Sequence, residues 1–351
     1  MKQCQWIFNA LVGVSFSLLC QLSMGQANYP LVRGAFGDLP QPNNIQRVVS
    51  AGPVSDTLLV SLVPNKLLGF STHGLSTEAK KYFPATVQNL PNTGRVAGRD
   101  STFPLEKIVA LKPDIIVDVG ATSATYISTA ERINKLTGIP YIVVSGLLNE
   151  TPEQLRTLGD LLGASERGKL LADYAEKILS TAEKAHRNQT SKNQAPIKVY
   201  FGGGVDGLQT GLAGSIQTEA IEFVGAYNVA SEAGKGFSAR VSMEQLMKWK
   251  PDVIITQDEN FYQRLMKDPV WQRIPAVKNG KFYLAPSKPF GWISHPPSIN
   301  RLLGVIWLTR VLYPEAMSYE EYSKDIRGYY ELFYGYKLTA HELANFSKGL
   351  E

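Results

Sequence analysis

The sequence predicts an α/β protein with two lobes joined by one long helix. Three observations carry this prediction. Short apolar, β-branched runs alternate with helical segments in both halves of the chain, as they do in parallel-sheet folds. A helix–turn–strand unit occurs once in each half, and a stretch of helix-forming residues separates the two copies. The length of 351 residues is sufficient for two domains of ordinary size.

The composition is that of a folded chain without a disulfide framework. Hydrophobic residues make up 44% of the sequence and charged residues 19%, as in ordinary globular proteins. The formal charge of +5 is mild for this length, and the basic residues are scattered, which argues against a nucleic-acid partner. A small basic excess is compatible with a small anionic ligand. Two cysteines, Cys4 and Cys20, cannot build a disulfide scaffold.

Residues 1–27 have the pattern of a cleavable signal peptide, which predicts export to the periplasm. Lys2 precedes a mostly apolar stretch from Trp6 to Leu22, and small residues follow. A retained anchor helix is the alternative, but the stretch is short for a membrane span and contains polar residues. A lipid-attachment site at Cys20 fits poorly, because Leu19 stands where a small residue is wanted. Cleavage would leave a mature chain with no cysteine.

The first lobe is predicted over residues 45–150. A strand over 47–50 leads into a glycine-proline loop and a helix over 55–63, and apolar runs at 67–70 and 141–144 are further strands. Between them lies the first copy of the repeated unit.

The repeat consists of residues 104–117, PLEKIVALKPDIIV, and residues 242–255, SMEQLMKWKPDVII. In each copy a glutamate, Glu106 or Glu244, opens a short helix, and Lys-Pro-Asp ends it because proline cannot continue a helix. A β-branched apolar run follows, which is typical of a buried parallel strand. Chance similarity of two common units is the alternative, and the matching order and spacing argue against it.

The linker region is predicted over residues 151–194 and the second lobe over 195–351. Helix-forming residues run from Thr151 to about Arg187, and the part without proline predicts a helix of about 30 Å, the width of a lobe. In the second lobe we expect strands at 197–201 and 280–284, and an amphipathic helix after Ser298 with Ile299, Leu302, Leu303 and Ile306 on its apolar face. The elements together predict two Rossmann-like lobes with a ligand cleft between them.

Candidate ligand-binding residues lie in loops after the strands, because open α/β sheets bind ligands beyond the carboxyl ends of their strands. Trp292 either offers its ring to a ligand or packs into the core, and both roles stay open. His295, between Ser294 and two prolines, is also a candidate metal ligand. The glycines allow close backbone approach. Besides two arginines, the candidates are Pro53, Val54, Ser55 and Gly120 in the first lobe and Phe201, Gly203, Phe237, Trp292, Ser294 and His295 in the second.

Signatures of catalysis are missing from the sequence, so we predict no catalytic residue and no cofactor. Residues 202–207 match G-x-G-x-x-G, but the helix and the acidic residue that a dinucleotide site requires do not follow. The sequence contains no nucleophile elbow, Walker loop or H-E-x-x-H motif. Its four histidines have no metal-site spacing.

The motifs resemble those of the substrate-binding proteins of ABC importers, in the group with a single helical linker. That group serves ferric siderophores, haem, cobalamin and some metal ions or oxyanions. The resemblance implies a monomer, not an enzyme, whose Glu106 and Glu244 dock onto arginines of a permease dimer that works with an ATPase. The resemblance extends from about Ile45 to Tyr334. The segments that carry it are the Pro53 loop with Thr57-Leu58, the repeated unit, and residues 214–219, 225–229, 270–271, 276–281 and 297–301.

Departures from the family pattern bear on the ligand. The cleft positions carry few aromatic residues, so cobalamin and haem become weaker candidates. Arg99, near an arginine position of ferric-siderophore binders, and Arg95, with Arg240 as a further candidate, supply planar forks for anionic oxygens. We therefore expect a small metal-containing anion of the ferric chelate type, with molybdate or tungstate as the alternative. A cleft enzyme using His295 with Asp206 or Asp258, and a metal chaperone or sensor docking on a receptor, are the competing functions.

Overall fold

The computed structural model describes residues 29–72, 74–97, 104–191 and 195–350. The described residues from Leu31 onward form one compact unit. The predicted signal segment with both cysteines, and Arg99, lie outside the described residues. Within the described part of the chain, no helix is long and apolar enough to cross a membrane.

The first half of the chain is built on a four-stranded sheet with the strand order β1-β4-β3-β2. Strands β2, β3 and β4 are parallel, whereas β1 pairs antiparallel with β4 at the edge. The central strands are buried on both faces, which explains their continuous apolar runs. The four strands are β1 (Val32–Phe36), β2 (Val48–Ser50), β3 (Ile115–Gly120) and β4 (Tyr141–Ser145).

The helices of this half surround the sheet. They are α1 (Pro53–Leu62), α2 (Thr77–Lys80), α3 (Ala85–Gln88), α4 (Leu105–Ala110) and α5 (Ala124–Thr137). The strand predicted at 67–70 is not formed. Leu67 and Phe70 each make an isolated bridge, to Val48 and to Asn92, so the segment pairs with two different partners instead of one continuous ladder.

The linker region folds as two helices, α6 (Thr151–Leu161) and α7 (Ser165–Ser191). The chain turns between them at Gly163, whose φ of +64° is readily adopted only by glycine. Helix α6 packs closely against α7, since a side chain at Gly159 would come within 2.9 Å of Gly168 Cα. The 27 residues of α7 span about 40 Å, which makes α7 the long helix expected from the sequence.

The second half contains a fully parallel sheet with the order β10-β9-β5-β7, together with a two-stranded ribbon of β6 and β8. Its strands are β5 (Lys198–Gly202), β6 (Gln209–Thr210), β7 (Tyr227–Asn228), β8 (Ala239–Arg240), β9 (Val253–Thr256) and β10 (Phe282–Leu284). Its helices are α8 (Glu219–Phe223), α9 (Met243–Trp249), α10 (Glu259–Leu265), α11 (Pro275–Lys278), α12 (Arg301–Leu312), α13 (Tyr319–Tyr329) and α14 (Ala340–Phe346).

The sequence repeat is also a repeat of backbone geometry. Lys112 and Lys250 have φ values of +46° and +50°, although neither is glycine. After each lysine, the aspartate caps the start of a neighbouring strand. The amide of Asp114 donates to the Arg47 carbonyl at 2.8 Å and its carboxylate accepts from the Arg47 amide at 2.8 Å. Asp252 makes the same two contacts with Lys198, each at 2.8 Å.

The C-terminal segment packs against the first half as well as the second. Lys81 pairs with Glu342 at 2.7 Å, and the rings of Tyr82 and Tyr330 meet edge to face at 5.4 Å. Helix α12 is buried on nearly every side, not on one stripe as predicted, because α7, α8 and α13 cover it. The predicted domain bounds stay a prediction, and the segment after 319 touches both lobes.

Candidate functional site

A cavity of about 350 Å³ lies at the carboxyl ends of β5 and β9. Its volume is within the range of small-molecule sites. Three of the predicted residues, Phe201, Gly203 and His295, meet here, as expected for loops that follow neighbouring parallel strands. The lining consists of Phe201, Gly202, Gly203, Gly204, Gln257, Asp258, Ser287, Pro289, Phe290, Gly291 and His295.

The glycine-rich loop after β5 forms one wall of this cavity. Gly203 and Gln209 exchange backbone hydrogen bonds of 2.6 and 3.1 Å, so the chain turns back as a hairpin. Gly207 has a φ of +72°, and a side chain there would collide with the ring of Phe261. No helix follows directly, since α8 begins at Glu219. This geometry differs from the strand–turn–helix arrangement that places a pyrophosphate on a helix N-terminus.

The opposite wall is the loop around His295, which other residues hold in place. The side-chain amide of Asn300 donates hydrogen bonds to the backbone carbonyl of Pro296, at 2.9 Å, and to that of Gly291. Gln257 accepts a hydrogen bond from the Ser294 amide at 2.8 Å. His295 has a φ of +63°, a left-handed conformation that costs a non-glycine residue energy and that the surrounding contacts must hold.

The side chains of this loop point in different directions. His295 is exposed at the cavity, and the protein around its ring lowers its pKa by desolvation. Ser294 is fully buried. Trp292 is also fully buried, donates from its ring nitrogen to the Lys288 carbonyl at 3.1 Å and packs against Phe346. Of the two roles that the sequence left open for Trp292, its position favours core packing.

On the first lobe, the start of helix α1 provides the candidate binding loop. Pro53 occupies the first turn, and Pro53 and Val54 are partly exposed. The Ser55 hydroxyl is buried and accepts a hydrogen bond from the Val119 amide at 2.8 Å, which ties α1 to β3. The first turn of a helix presents N–H groups and a positive dipole end, both favourable to an anion.

Arg95 lies beside this loop, near two buried carboxyl groups that the sequence analysis missed. A side chain at Gly52 would approach Arg95 Nε to 3.9 Å. Burial raises the pKa of Asp56 and of Asp118 to about 6 in each case, and the charge of Arg95 opposes both shifts. Tyr141 donates to Asp118 at 3.2 Å. An aspartate within the apolar run of β3 is the sequence signal that could have identified this group.

One contact between the loops of the two lobes lies at the start of helix α1. The Ser298 hydroxyl donates to the carbonyl of Val54 at 2.7 Å, and a side chain at Gly120 would lie 3.9 Å from Val54. Two other predicted cationic or aromatic residues lie elsewhere. Phe237 is exposed outside the cavity lining, and Arg240 forms an exposed ion pair with Asp206.

The predicted docking glutamates occupy equivalent exposed positions. Glu106 lies in the first turn of α4 and Glu244 in the first turn of α9. Each helix leads into a central strand, β3 or β9, so its N-terminal end lies toward the carboxyl edge of the sheet. Val109 and Met247, three residues further on, share a helix face with these glutamates and are 46% and 40% exposed. Each lobe thus presents a carboxylate beside an apolar side chain.

The arrangement of the acidic, histidine and cysteine side chains bears on whether the protein holds a metal ion directly. Among these residues, no group of three or more histidine, cysteine, aspartate or glutamate side chains is arranged to hold a metal ion. The assignment of His295 as a metal ligand stays a prediction.

Comparison with known proteins places these features in context. The family model described as periplasmic binding protein matches residues 48–289. The molybdate-binding protein MolA of Haemophilus influenzae is 25% identical over 327 residues, covering 84% of this chain and 87% of MolA. The iron-uptake system-binding protein of Bacillus subtilis is 25% identical over 247 residues, covering 64% of this chain and 71% of that protein.

Solved structures show the same architecture. An ABC transporter solute binding protein from Sulfurospirillum deleyianum superposes with a TM-score of 0.79 at 27% identity, covering 90% of this chain and 99% of that one. Molybdate-bound MolA superposes with a TM-score of 0.66 at 22% identity, covering 86% of this chain and 96% of MolA. Both agree with the two-lobe α/β fold predicted from the sequence.

Proposed function

This chain belongs to the periplasmic binding protein family, and from that premise we propose that it captures an anionic metal species and delivers it to an ABC importer. The relatives are transport proteins rather than enzymes, which supports a non-catalytic role at the level of the family. The observation that carries the proposal is the contact of Ser298 with Val54. It brings the anion-favouring start of α1 to the loop that also carries His295, so residues of both lobes can surround one ligand.

The first lobe supplies the positive side of this site. Helix α1 begins at Pro53, next to the Val54 carbonyl that Ser298 contacts, and Arg95 lies beside Gly52 at the same helix start. A guanidinium group can donate two parallel hydrogen bonds to an anion with adjacent oxygen atoms. Arg99 is proposed as a second donor from its sequence position. The nearby Asp56 and Asp118 offset part of the positive charge, which favours a ligand of low net charge.

Two ligands share the required chemistry of anionic oxygen around a metal. Molybdate, with tungstate as its chemical analogue, is proposed as one ligand, and the similarity to the molybdate-binding protein MolA over 84% of this chain supports molybdate. A ferric chelate, the ligand expected from the sequence, is favoured by the cavity of about 350 Å³, which is larger than one tetrahedral oxyanion requires. Haem and cobalamin stay the weaker candidates, because Trp292 is fully buried and the cavity lining offers phenyl rings at Phe201 and Phe290 alone among its described residues.

Titration calorimetry and thermal shift with the purified protein would test the proposal. The panel is molybdate, tungstate and ferric citrate, with sulfate, haemin and cyanocobalamin for comparison. A ligand that binds the native state alone raises the apparent stability by an amount set by its concentration relative to Kd. Binding of molybdate and tungstate without ferric citrate identifies an oxyanion carrier, and the reverse identifies a chelate carrier. Binding of none of the three contradicts the proposal.

Arg95→Gln is the variant that tests the ligand contact itself. We expect it to weaken binding at least tenfold, because a charge-assisted hydrogen bond contributes about 1.5–3 kcal/mol. Arg240→Gln is the matched control, since Arg240 is an exposed arginine of the second lobe that pairs with Asp206. Equal affinities of the two variants, at equal unfolding midpoints, would remove Arg95 from the site.

We further propose that the protein acts in the periplasm as a monomer and docks on a permease dimer. The docking points are Glu106 and Glu244, each with its apolar neighbour, Val109 or Met247. A pair of equivalent patches on two related lobes suits a partner with two-fold symmetry. The carboxylates would steer the encounter and set its register, while the apolar side chains add buried area.

A further inference from the structure

We propose that Arg301, together with Ser298 and Glu219, is the positioning group that holds the two halves of the ligand site at a fixed separation. This inference rests on the proposed function, because it takes the Val54, Gly120 and His295 loops as the ligand site. Arg301 is 1% exposed, so a ligand in the cleft cannot reach it. Its influence on binding would therefore act through the loops that it connects.

The argument begins at the start of helix α12, where neighbouring residues reach opposite walls of the cleft. Ser298 donates to the Val54 carbonyl of the first lobe. Asn300 donates to the carbonyls of Gly291 and Pro296, on either side of His295. The His295 loop and the start of α1 are thus attached to one short, buried piece of backbone.

Arg301 closes a ring of contacts that begins at Ser298. Its Nε atom donates to the Ser298 carbonyl at 3.1 Å, and Nη2 donates to the Gly146 carbonyl of the first lobe at 2.7 Å. The Gly146 amide donates a hydrogen bond to the Gly120 carbonyl at 2.9 Å. The two glycines pack so closely that a side chain at Gly146 would lie 2.5 Å from Gly120 Cα. Gly120 in turn lies against Val54, the residue held by Ser298.

Glu219 adds a second connection between the lobes at the same place. One carboxylate oxygen pairs with Arg301, and the other accepts a hydrogen bond from the Leu148 amide of the first lobe at 2.9 Å. Burial lowers the pKa of Arg301, and the neighbouring Glu219 opposes that shift. A planar guanidinium can serve Ser298, Gly146 and Glu219 together, whereas a lysine ammonium cannot reproduce this fork.

Another ion pair between the lobes provides a contrast. Lys288 of the second lobe pairs with Glu78 of the first, but these side chains are 39% and 69% exposed to solvent. Exposed pairs contribute little and are screened by salt. We expect the contacts of the buried Arg301 with the Ser298 and Gly146 carbonyls to govern the separation of the lobes more than this exposed pair does. Glu78→Gln is the matched control for variants of Arg301.

The test measures the distance between the lobes directly. Spin labels are attached to Leu136→Cys on α5 and Met266→Cys after α10, both exposed, in the full chain with Cys4→Ser and Cys20→Ser. Double electron–electron resonance then reports the distance distribution. We expect one narrow peak for the parent and for Glu78→Gln, and at least a twofold broader distribution for the double variant Arg301→Met with Glu219→Gln.

The double variant separates positioning from stability. Replacing both members of the ion pair by neutral groups leaves no isolated charge at the buried Arg301 position, so we expect the double variant to fold. A purely structural role would lower the unfolding midpoint without changing the distance distribution. An unchanged distribution in the folded double variant overturns the proposal. If that variant fails to fold, Ser298→Ala, which removes a single hydrogen bond, takes its place, and an unchanged width there overturns it equally.

Ligand binding supplies the second readout. With molybdate and ferric citrate as probes, we expect the double variant to raise Kd at least tenfold while Glu78→Gln leaves Kd within twofold. If the parent binds neither probe, the proposed function fails while the distance distributions still decide the role of Arg301. If the parent binds and the double variant binds equally well with a broadened distribution, the positioning role in ligand binding is refuted.

Discussion

Asp118 offers a direct test of the electrostatics beneath the first-lobe loops. Asp118 lies on strand β3 and is 7% exposed to solvent. Burial raises the pKa of its carboxyl group from 3.8 to about 6. A carboxyl group with a raised pKa holds its proton more tightly in the folded state than in the unfolded state. Its contribution to stability is therefore complete below pH 3.8 and is lost as the pH rises through about 6.

The size of this effect follows from the shift. A change of about two pKa units corresponds to about 3 kcal/mol between the two protonation states. Asp118→Asn resembles the protonated form and can keep the hydrogen bond from Tyr141. We expect the free energy of unfolding of the variant, relative to the parent, to rise by up to about 3 kcal/mol from pH 4 to pH 7.

Urea unfolding of the parent and of Asp118→Asn at pH 4, 5, 6 and 7 measures this difference. The contributions of the other titrating groups to the free energy of unfolding are the same in the two proteins and cancel. Asp206→Asn is the control with the opposite sign, because the hydrogen bond from the exposed Arg240 lowers the pKa of Asp206. Its stability relative to the parent should fall slightly as the pH rises. A difference between Asp118→Asn and the parent that stays constant over this pH range would refute the reasoning.

Three further predictions concern docking, the cavity loop and the repeat. The double variant Glu106→Ala with Glu244→Ala should no longer stimulate ATP hydrolysis by a reconstituted cognate permease and its ATPase, while its ligand affinity measured by calorimetry stays unchanged. Retained stimulation of ATP hydrolysis would contradict the docking role. His295→Gly should be more stable to urea than His295→Ala by about 1 kcal/mol, because the left-handed conformation is unstrained for glycine; equal stabilities would argue against strain. Asp114→Ala and Asp252→Ala should each lower the free energy of unfolding by about 1–3 kcal/mol, since each removes the carboxylate that caps a strand start, and the loss should be larger for Asp114, which also accepts from the Gln46 amide at 2.7 Å; a loss in one variant alone would show that the two aspartates do not share the capping role.

Much of the fold could be predicted because burial on both faces leaves a simple pattern in the sequence. The apolar runs of β3, β4 and β9, and the Lys-Pro-Asp units that precede two of them, identified parallel strands in both halves. Strand β1 escaped prediction because it lies at the sheet edge with its side chains only partly buried. Residues 67–70 have the composition of a strand, but their pairing depends on Val48 and Asn92, which are distant in sequence.

The candidate site was predictable in its loops but less so in its side chains. Topology alone brought Phe201, Gly203 and His295 to one cavity. Whether Trp292 faces that cavity or the core depends on Phe346 and Lys288, whose positions no local pattern reveals. Contacts between distant segments, such as Arg301 with Gly146, exist only once both lobes are assembled.

The return of the C-terminal segment to the first lobe has a consequence for biosynthesis. Tyr82 and Lys81, made early, find their partners Tyr330 and Glu342 among the last residues of the chain. An N-terminal domain whose contacts all lie within its own residues can fold while the rest of the chain is still being synthesised. Here an aromatic surface of the first lobe stays uncovered until the segment that carries Tyr330 and Glu342 has been synthesised.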